Sequence, residues 1–274
     1  MGLGDDIMWR AEAYHEWKKT GKRQRPYKEK KKRYTPIERR DIWIESPWIS
    51  NKGDAFEENT NNGRRWYFKG TPYKPKIAPF TFKEKQIEFQ KQIKFKDYIV
   101  INPYVKQGVF YPMKMWPYWI ELINRLKDYN IVICAPQRPH LDGPTGQQIL
   151  QANPNVQIVN TPNFLNCIVV ISKAKLLITT EGANHHAAGN MQIPAIVIYG
   201  SHNSPLCTGY DSQVSITRTT ECNTDGYGCH RNNKSKDKTH NSNPCITCIQ
   251  AMSTITTQEV IEKVTEIINT NRTE

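Results

Sequence analysis

Residues 176–200 read LLITTEGANHHAAGNMQIPAIVIYG. Leu176 to Thr179 is an apolar run of strand length, and Thr180 to Asn184 is a polar turn with one glycine. His185 to Met191 is a small-residue helical segment, and Ala195 to Tyr199 is a second apolar run closed by Gly200. Strand, short helix and strand form half of a parallel doubly wound unit, whose strands are buried on both faces and read as continuous apolar runs. In open α/β sheets ligands gather at the carboxyl ends of strands, and the turn after Thr179 is such an end. Glu181, Gly182, His185 and His186 lie there, at a helix start whose unpaired N–H groups favour an anion such as a diphosphate. Gly182 and Ala183 leave room for a ligand, and Glu181 offers two acceptor oxygens suited to sugar hydroxyls. The same residues would also serve as a solvated loop with core-facing histidines.

Working outward, the pattern stays regular from Tyr98. YIVINP is a buried strand leading to the loop VKQGVFYPMK, and a helix is predicted from Trp116 to Tyr129. IVICAP is the next strand, TGQQILQA a short helix, VQIVN an edge-like strand and FLNCIVVISKAK a helix that runs into LLITT. The alternation predicts a doubly wound parallel domain. ITTQEVIEKVTEIINT is a closing amphipathic helix capped by Thr256 or Thr257, with Val260, Ile261, Val264, Ile267 and Ile268 inward. Lys114 stands between a strand end and a helix start, where an ammonium and a helix terminus can face one diphosphate; Lys106 is the weaker candidate.

The amino-terminal third reads differently. A glycine turn is expected before the helix DDIMWRAEAYHEWKK, whose apolar positions are Ile7, Met8, Ala11, Tyr14 and Trp17. Asp5 and Asp6 sit at the positive end of that helix, where capping is the simple role. Residues 20–40 are basic with interleaved aromatics, a pattern of nucleic-acid surfaces and of solvated loops. Short strands are expected at WIES, RRWYF and YKP. Trp43, Trp48, Trp66, Tyr67, Phe68 and Tyr73 are either the core of a small domain or the lining of an acceptor groove. FKEKQIEFQKQIKF is a charged helix, and the domain boundary falls at its end, dividing 1–96 from 97–274.

The chain has 274 residues and a formal net charge of +12, which implies affinity for phosphates, nucleotides, nucleic acid or an acidic membrane surface. It has no apolar run long enough to span a bilayer and no signal-peptide layout at its start, so a cytoplasmic location is expected. Seven cysteines argue for thiols rather than a disulfide framework. Four of them, Cys222, Cys229, Cys245 and Cys248, follow C-x6-C and C-x2-C spacings within a loop at 222–248, with His230 and His240 nearby. Structural zinc and free thiols are both open readings.

The stretch TTEGANHHAAGNMQIPAIVIYGSHNSPLCTGY resembles the donor-site segment of glycosyltransferase family 9, the heptosyltransferase-like enzymes of the GT-B fold. Gly2-Leu3-Gly4-Asp5 resembles the family's glycine loop, and Lys114-Met115-Trp116-Pro117 its K-x-W-P motif. The likeness runs through most of 98–268 and through 1–20, and is weak between. Here Glu181 stands where many members have Asp and Ala183 where Gly is usual, and the strand expected before the glycine loop is missing. The resemblance implies a Rossmann-like donor domain at 97–274 and a small, irregular, incomplete acceptor-side domain at 1–96. It implies inverting, metal-independent transfer from a nucleotide-diphosphate sugar to a hydroxyl of a glycan or lipid-linked acceptor, at the inner face of a membrane. Asp5 would be the base and Lys114 would neutralise the diphosphate. Gly2, Gly4, Gly182, Ala183 and His186 would line the donor, with Glu181 on its sugar. Two alternatives stay open: a basic nucleic-acid-binding protein with a zinc module, and a glycosyltransferase acting on nucleic acid.

Overall fold

The computed structural model describes residues 3–25, 42, 46–50, 57–58, 73–107, 112–136, 141–223, 226–229 and 245–270. Its centre is a six-stranded parallel sheet. In chain order the sheet strands are β3 (Ile99–Asn102), β5 (Ile131–Pro136), β7 (Gln157–Thr161), β8 (Leu176–Thr180), β9 (Ala195–Gly200) and β10 (Gln213–Thr217). They lie side by side as β10-β9-β8-β3-β5-β7. Counted from β3 this is the dinucleotide-binding order 3-2-1-4-5-6 read from the other edge, and its direction reverses between β3 and β8. At that switch point Asn102 Nδ2 donates to Thr179 Oγ1 across the strand ends (3.4 Å). Among the described residues, two short pairs lie outside the sheet, β1 (Gln24–Arg25) with β2 (Glu57–Glu58), and β4 (Val105–Lys106) with β6 (Leu141–Asp142).

Alternation along β3 and β5 sends Ile99, Ile101, Ile131 and Ile133 to one face and Val100, Val132 and Cys134 to the other. The first face is covered by α3 (Trp119–Arg125), α4 (Gly146–Ala152), α8 (Ile246–Ser253) and α9 (Thr257–Thr270) through Trp119, Leu122, Ile149, Met252 and Val260. The second carries α5 (Phe164–Ile171) and α6 (Ala183–Asn190) through Val170, Ile171 and Ala188. Among the described residues, further helices are α1 (Leu3–Thr20), α2 (Glu84–Gln90) and the short α7 (Pro205–Thr208). Thr145 caps α4 by accepting from Gln148 N (3.2 Å), and Thr256 caps α9 by accepting from Glu259 N (3.2 Å).

Helix α1 packs onto α5 and α6. Ile7, Trp9, Ala11 and Ala13 share an apolar cluster with Leu165, Ile168 and Ala187. Arg10 stitches this layer: Nε donates to Ser46 Oγ (2.8 Å), the guanidinium reaches the Ala78 and Pro79 carbonyls, and it lies 4.2 Å from the Phe80 ring centroid. Burial lowers its pKa to about 9. Ala78 N donates to Asn190 Oδ1 (3.0 Å), tying residues 73–82 to the end of α6.

Several expected elements are corrected. The helix already runs through Gly4, so the expected glycine turn is absent there. The helix expected from Trp116 starts at Trp119, because Pro117 biases the residue before it away from helical geometry. The helix before the boundary is confined to Glu84–Gln90, and YKP at 73–75 forms no strand. Strand β10 and helix α8 were not expected. Gly2, Trp43, Trp66, Tyr67 and Phe68, the strand RRWYF, most of WIES, most of the basic run 20–40, and His230 and His240 lie outside the described residues. Trp48 is buried beside Tyr14 and Trp17 and lines no groove. No described helix is long and apolar enough to cross a membrane.

Candidate active site

Strand β8 ends at Thr180, so Glu181 emerges at the switch point, and the loop after β3 brings Lys114 to meet it. The Lys114 ammonium pairs with Glu181 Oε2, and the side chains are 24 % and 9 % exposed. Burial alone would raise the Glu181 pKa; the Lys114 charge, with the neighbouring His185, outweighs it and holds the carboxyl far below its usual range. A charged pair therefore stands at the point where this sheet topology places ligands, with the Lys114 side partly open to water.

The first turn of α6 is held by its own histidines. Gly182 N donates to His185 Nδ1 (2.8 Å), which leaves the proton on Nε2 to be donated to the Thr208 carbonyl (3.1 Å). His186 Nδ1 meets the Tyr210 hydroxyl (3.1 Å), and that hydroxyl also accepts from Asn190 Nδ2 (3.1 Å). Burial lowers the pKa of both imidazoles, and His185, at a ring separation of 3.9 Å, lowers that of His186 further. Both rings are committed to hydrogen bonds that fix this turn. Glu181, His185 and His186 lie close enough to suggest a metal triad. They do not suit one, since both His185 nitrogens and the Glu181 carboxylate already have partners.

The sequence candidates converge from distant parts of the chain. A Cβ on Gly4 would stand 2.7 Å from His186 Cδ2 and 3.8 Å from Ala183 N, so α1 crosses the start of α6 at a place where only glycine fits. Gly4, Ala183 and His186 are thus brought together, Lys114 joins Glu181, and Gly182 faces open space. Asp5, half-buried, follows Gly4 in the first turn of α1. Lys106 lies exposed in β4. Tyr210, Asn190, Thr208 and the donor role of His185 were missed, and no spacing signal marks them. Tyr210 stands 24 residues beyond His186 and reaches it only because Gly189 lets its ring lie against α6.

The four cysteines form a second constellation. Cys222 follows β10, Cys245 precedes α8 and Cys248 lies in its first turn. Cys222 Sγ is 3.8 Å from both Cys245 Sγ and Cys248 Sγ, and all four sulfurs lie within 4.8 Å of one another. A tetrahedral thiolate site with Zn–S of about 2.3 Å has sulfur separations of about 3.8 Å, so the donor set fits. All seven cysteines are free of disulfides. Burial and crowding push the Cys222 thiol up to about 11, and a divalent cation at the centre would favour the thiolates instead.

A model described as glycosyltransferase family 9 (heptosyltransferase) matches residues 65–239. A search of curated proteins finds no match. Among solved structures, Escherichia coli ADP-heptose LPS heptosyltransferase II superposes with a TM-score of 0.51 at 18% identity, covering 73% of this chain and 56% of its own. The iron-containing dodecameric glycosyltransferase TibC of enterotoxigenic E. coli gives 0.47 at 14% identity, with 73% and 52% covered. A family 9 glycosyltransferase from Veillonella parvula gives 0.45 at 14% identity, with 70% and 53% covered. The chain spans about half the length of these proteins. The first likeness establishes the fold as Rossmann-like and of the GT-B kind. With the family model covering most of the chain, including Lys114 and the Glu181 turn, the protein belongs to glycosyltransferase family 9.

Proposed function

We propose that the protein binds a nucleotide-diphosphate sugar across the carboxyl ends of β3 and β8 and transfers the sugar, with inversion, to a hydroxyl of a glycan or lipid-linked acceptor. The observation that carries this reading is the Lys114–Glu181 pair at the switch point. On donor arrival the diphosphate takes over the Lys114 ammonium, and the released Glu181 carboxylate accepts from sugar hydroxyls. Gly4, Gly182, Ala183 and His186 line the turn, with Gly2 beyond the described residues. The acceptor hydroxyl attacks the anomeric carbon, its proton passes to Asp5, and the breaking C–O bond leaves its electron pair on the diphosphate. Lys114 supplies the cationic charge that such a leaving group needs, so the scheme requires no metal at the reacting centre.

In this reading residues 97–274 are the donor domain and 1–96 the acceptor side. The net charge of +12 suits a cytoplasmic enzyme working against an anionic membrane surface. Cys222, Cys229, Cys245 and Cys248 would hold a structural metal, zinc or another ion that takes four thiolates.

Two substitutions test the assignment. The E. coli relative is an ADP-heptose transferase, which makes ADP the first probe. Lys114→Ala should weaken ADP binding by about 2–3 kcal/mol in titration calorimetry, the scale of a charge-assisted contact. An unchanged dissociation constant would remove Lys114 from the mechanism. Asp5→Asn should keep its Tm and its ADP affinity while losing transfer by about 10²–10⁴-fold, the usual worth of a general base. Normal transfer would leave Asp5 a helix-end carboxylate only.

A further inference from the structure

The loop that carries Lys114 is fastened on both sides of that residue to one short stretch of chain. Before it, Met113 is buried to 2 % exposure in a cluster with Cys229 and Cys248, and its Sδ accepts the Cys245 N–H (3.2 Å). After it, Trp116 Nε1 donates to the Ile255 carbonyl (2.8 Å) and the Tyr118 hydroxyl to the Ser253 carbonyl (2.9 Å). Cys245 and Ser253 bracket α8, so residues 113–118 lie along this helix while Lys114 pairs with Glu181.

The two fastenings differ in kind. Trp116 sits in the apolar core with Trp119, Leu122, Met252 and Ile255, a cluster to which none of the four cysteines belongs. Among the described residues, Met113 packs in a cluster of cysteine side chains with Ile249. Four thiols attract one another only weakly, whereas a metal bound by four thiolates contributes folding free energy to whatever its ligands frame.

We propose that the four-cysteine centre, when it holds its metal, is a positioning device for the donor site. Met113 is the hook that transmits its order to Lys114. The metal touches neither donor nor acceptor, yet its occupancy decides whether Lys114 is held where the diphosphate lands. Met113 is a positioning residue, not a catalytic one. The inference rests on the reading of Lys114 as the diphosphate ligand.

The test uses the full chain and three readouts: metal content, ADP affinity by calorimetry, and amide hydrogen exchange of residues 112–118. Met113→Ala should keep its metal, exchange faster across 112–118, and bind ADP about tenfold more weakly, a modest share of what an ångström of misplacement can cost. Met113→Leu, which refills the space, should recover most of the affinity. Chelation of the wild-type protein should reproduce the Met113→Ala pattern, and restoring the metal should reverse it. Wild-type exchange and ADP affinity in metal-loaded Met113→Ala would overturn the proposal. So would a metal-stripped wild-type protein that binds ADP as before while Lys114→Ala does not. If Lys114→Ala itself leaves ADP binding unchanged, the diphosphate reading has failed. The exchange data, which need no ADP, then decide the hook by themselves: faster exchange upholds it and unchanged exchange overturns it.

Discussion

Helices α5 and α6 lie side by side on the same face of the sheet, and both are almost wholly buried, but they are buried for opposite reasons. Helix α5, FLNCIVVI, is apolar nearly all round and is held by Leu165, Ile168, Val170 and Ile171. Helix α6, ANHHAAGN, gives the apolar clusters only the small surfaces of Ala183, Ala187 and Ala188; beyond these it is held by the hydrogen bonds of His185, His186 and Asn190 and by the close approaches that Gly4 and Gly189 permit. Removing apolar surface from water stabilises any well-packed arrangement, whereas a buried polar group is tolerated only when its partner stands in the right place. Helix α5 therefore supplies adhesion, and α6 supplies a fixed geometry for the turn that carries Glu181.

The comparison can be broken at three places. The largest effect on stability is expected on the apolar side. Ile168→Ala empties a fully buried position between α5 and α1 and should cost about 2–5 kcal/mol in denaturant unfolding. Folded Ile168→Ala protein should still bind ADP with little change. A large loss of ADP affinity without unfolding would show that α5 does more than adhere. On the polar side, Tyr210→Phe keeps the ring against Gly189 and deletes the hydroxyl shared by His186 and Asn190. The expected cost is about 1–3 kcal/mol, because two buried groups lose a partner. ADP affinity should fall together with stability, since His186 lines the same turn; unchanged affinity would separate the network from the site.

The smallest effect is a pH dependence. Burial holds His185 and His186 below the ordinary value of 6.5, so near and below that pH the unfolded chain binds protons that the native state refuses. Stability is therefore full above about pH 6.5 and is lost as the pH falls through that value toward the folded pKa values. Glu181, whose folded pKa is also depressed, adds to the loss only below about 4.5. A Tm series from pH 7.5 to 5.5 should fall, and the fall should be shallower in His186→Gln. A flat wild-type series would mean that the native imidazoles take up the protons.

How much of this could be read in advance follows the same division. LLITT, IVICAP and AIVIYG are legible as parallel strands because a strand buried on both faces must be apolar throughout. The start of α6 is legible because a polar turn with a glycine interrupts two such runs. β10 was missed because QVSIT, an edge strand beside β9, is half polar, and α8 because ITCIQAMS is short and begins amid cysteines. The glycine expected to shape a turn at Gly4 was recognised as special for a reason that proved different: it is helical, and its missing Cβ is the space His186 occupies.

The chain by itself determined the order of elements and the residue types present at each strand end, because local periodicity and turn chemistry are written within about ten residues. Only the tertiary structure decided which of those residues meet. Lys114 and Glu181 are 67 positions apart, and Met113 and Cys245 are 132 apart. Neither pairing leaves a local trace, since each depends on sheet order and on which face α8 covers. The first follows once β3 and β8 lie side by side at the switch point, and the second once α8 lies along the loop that carries Met113.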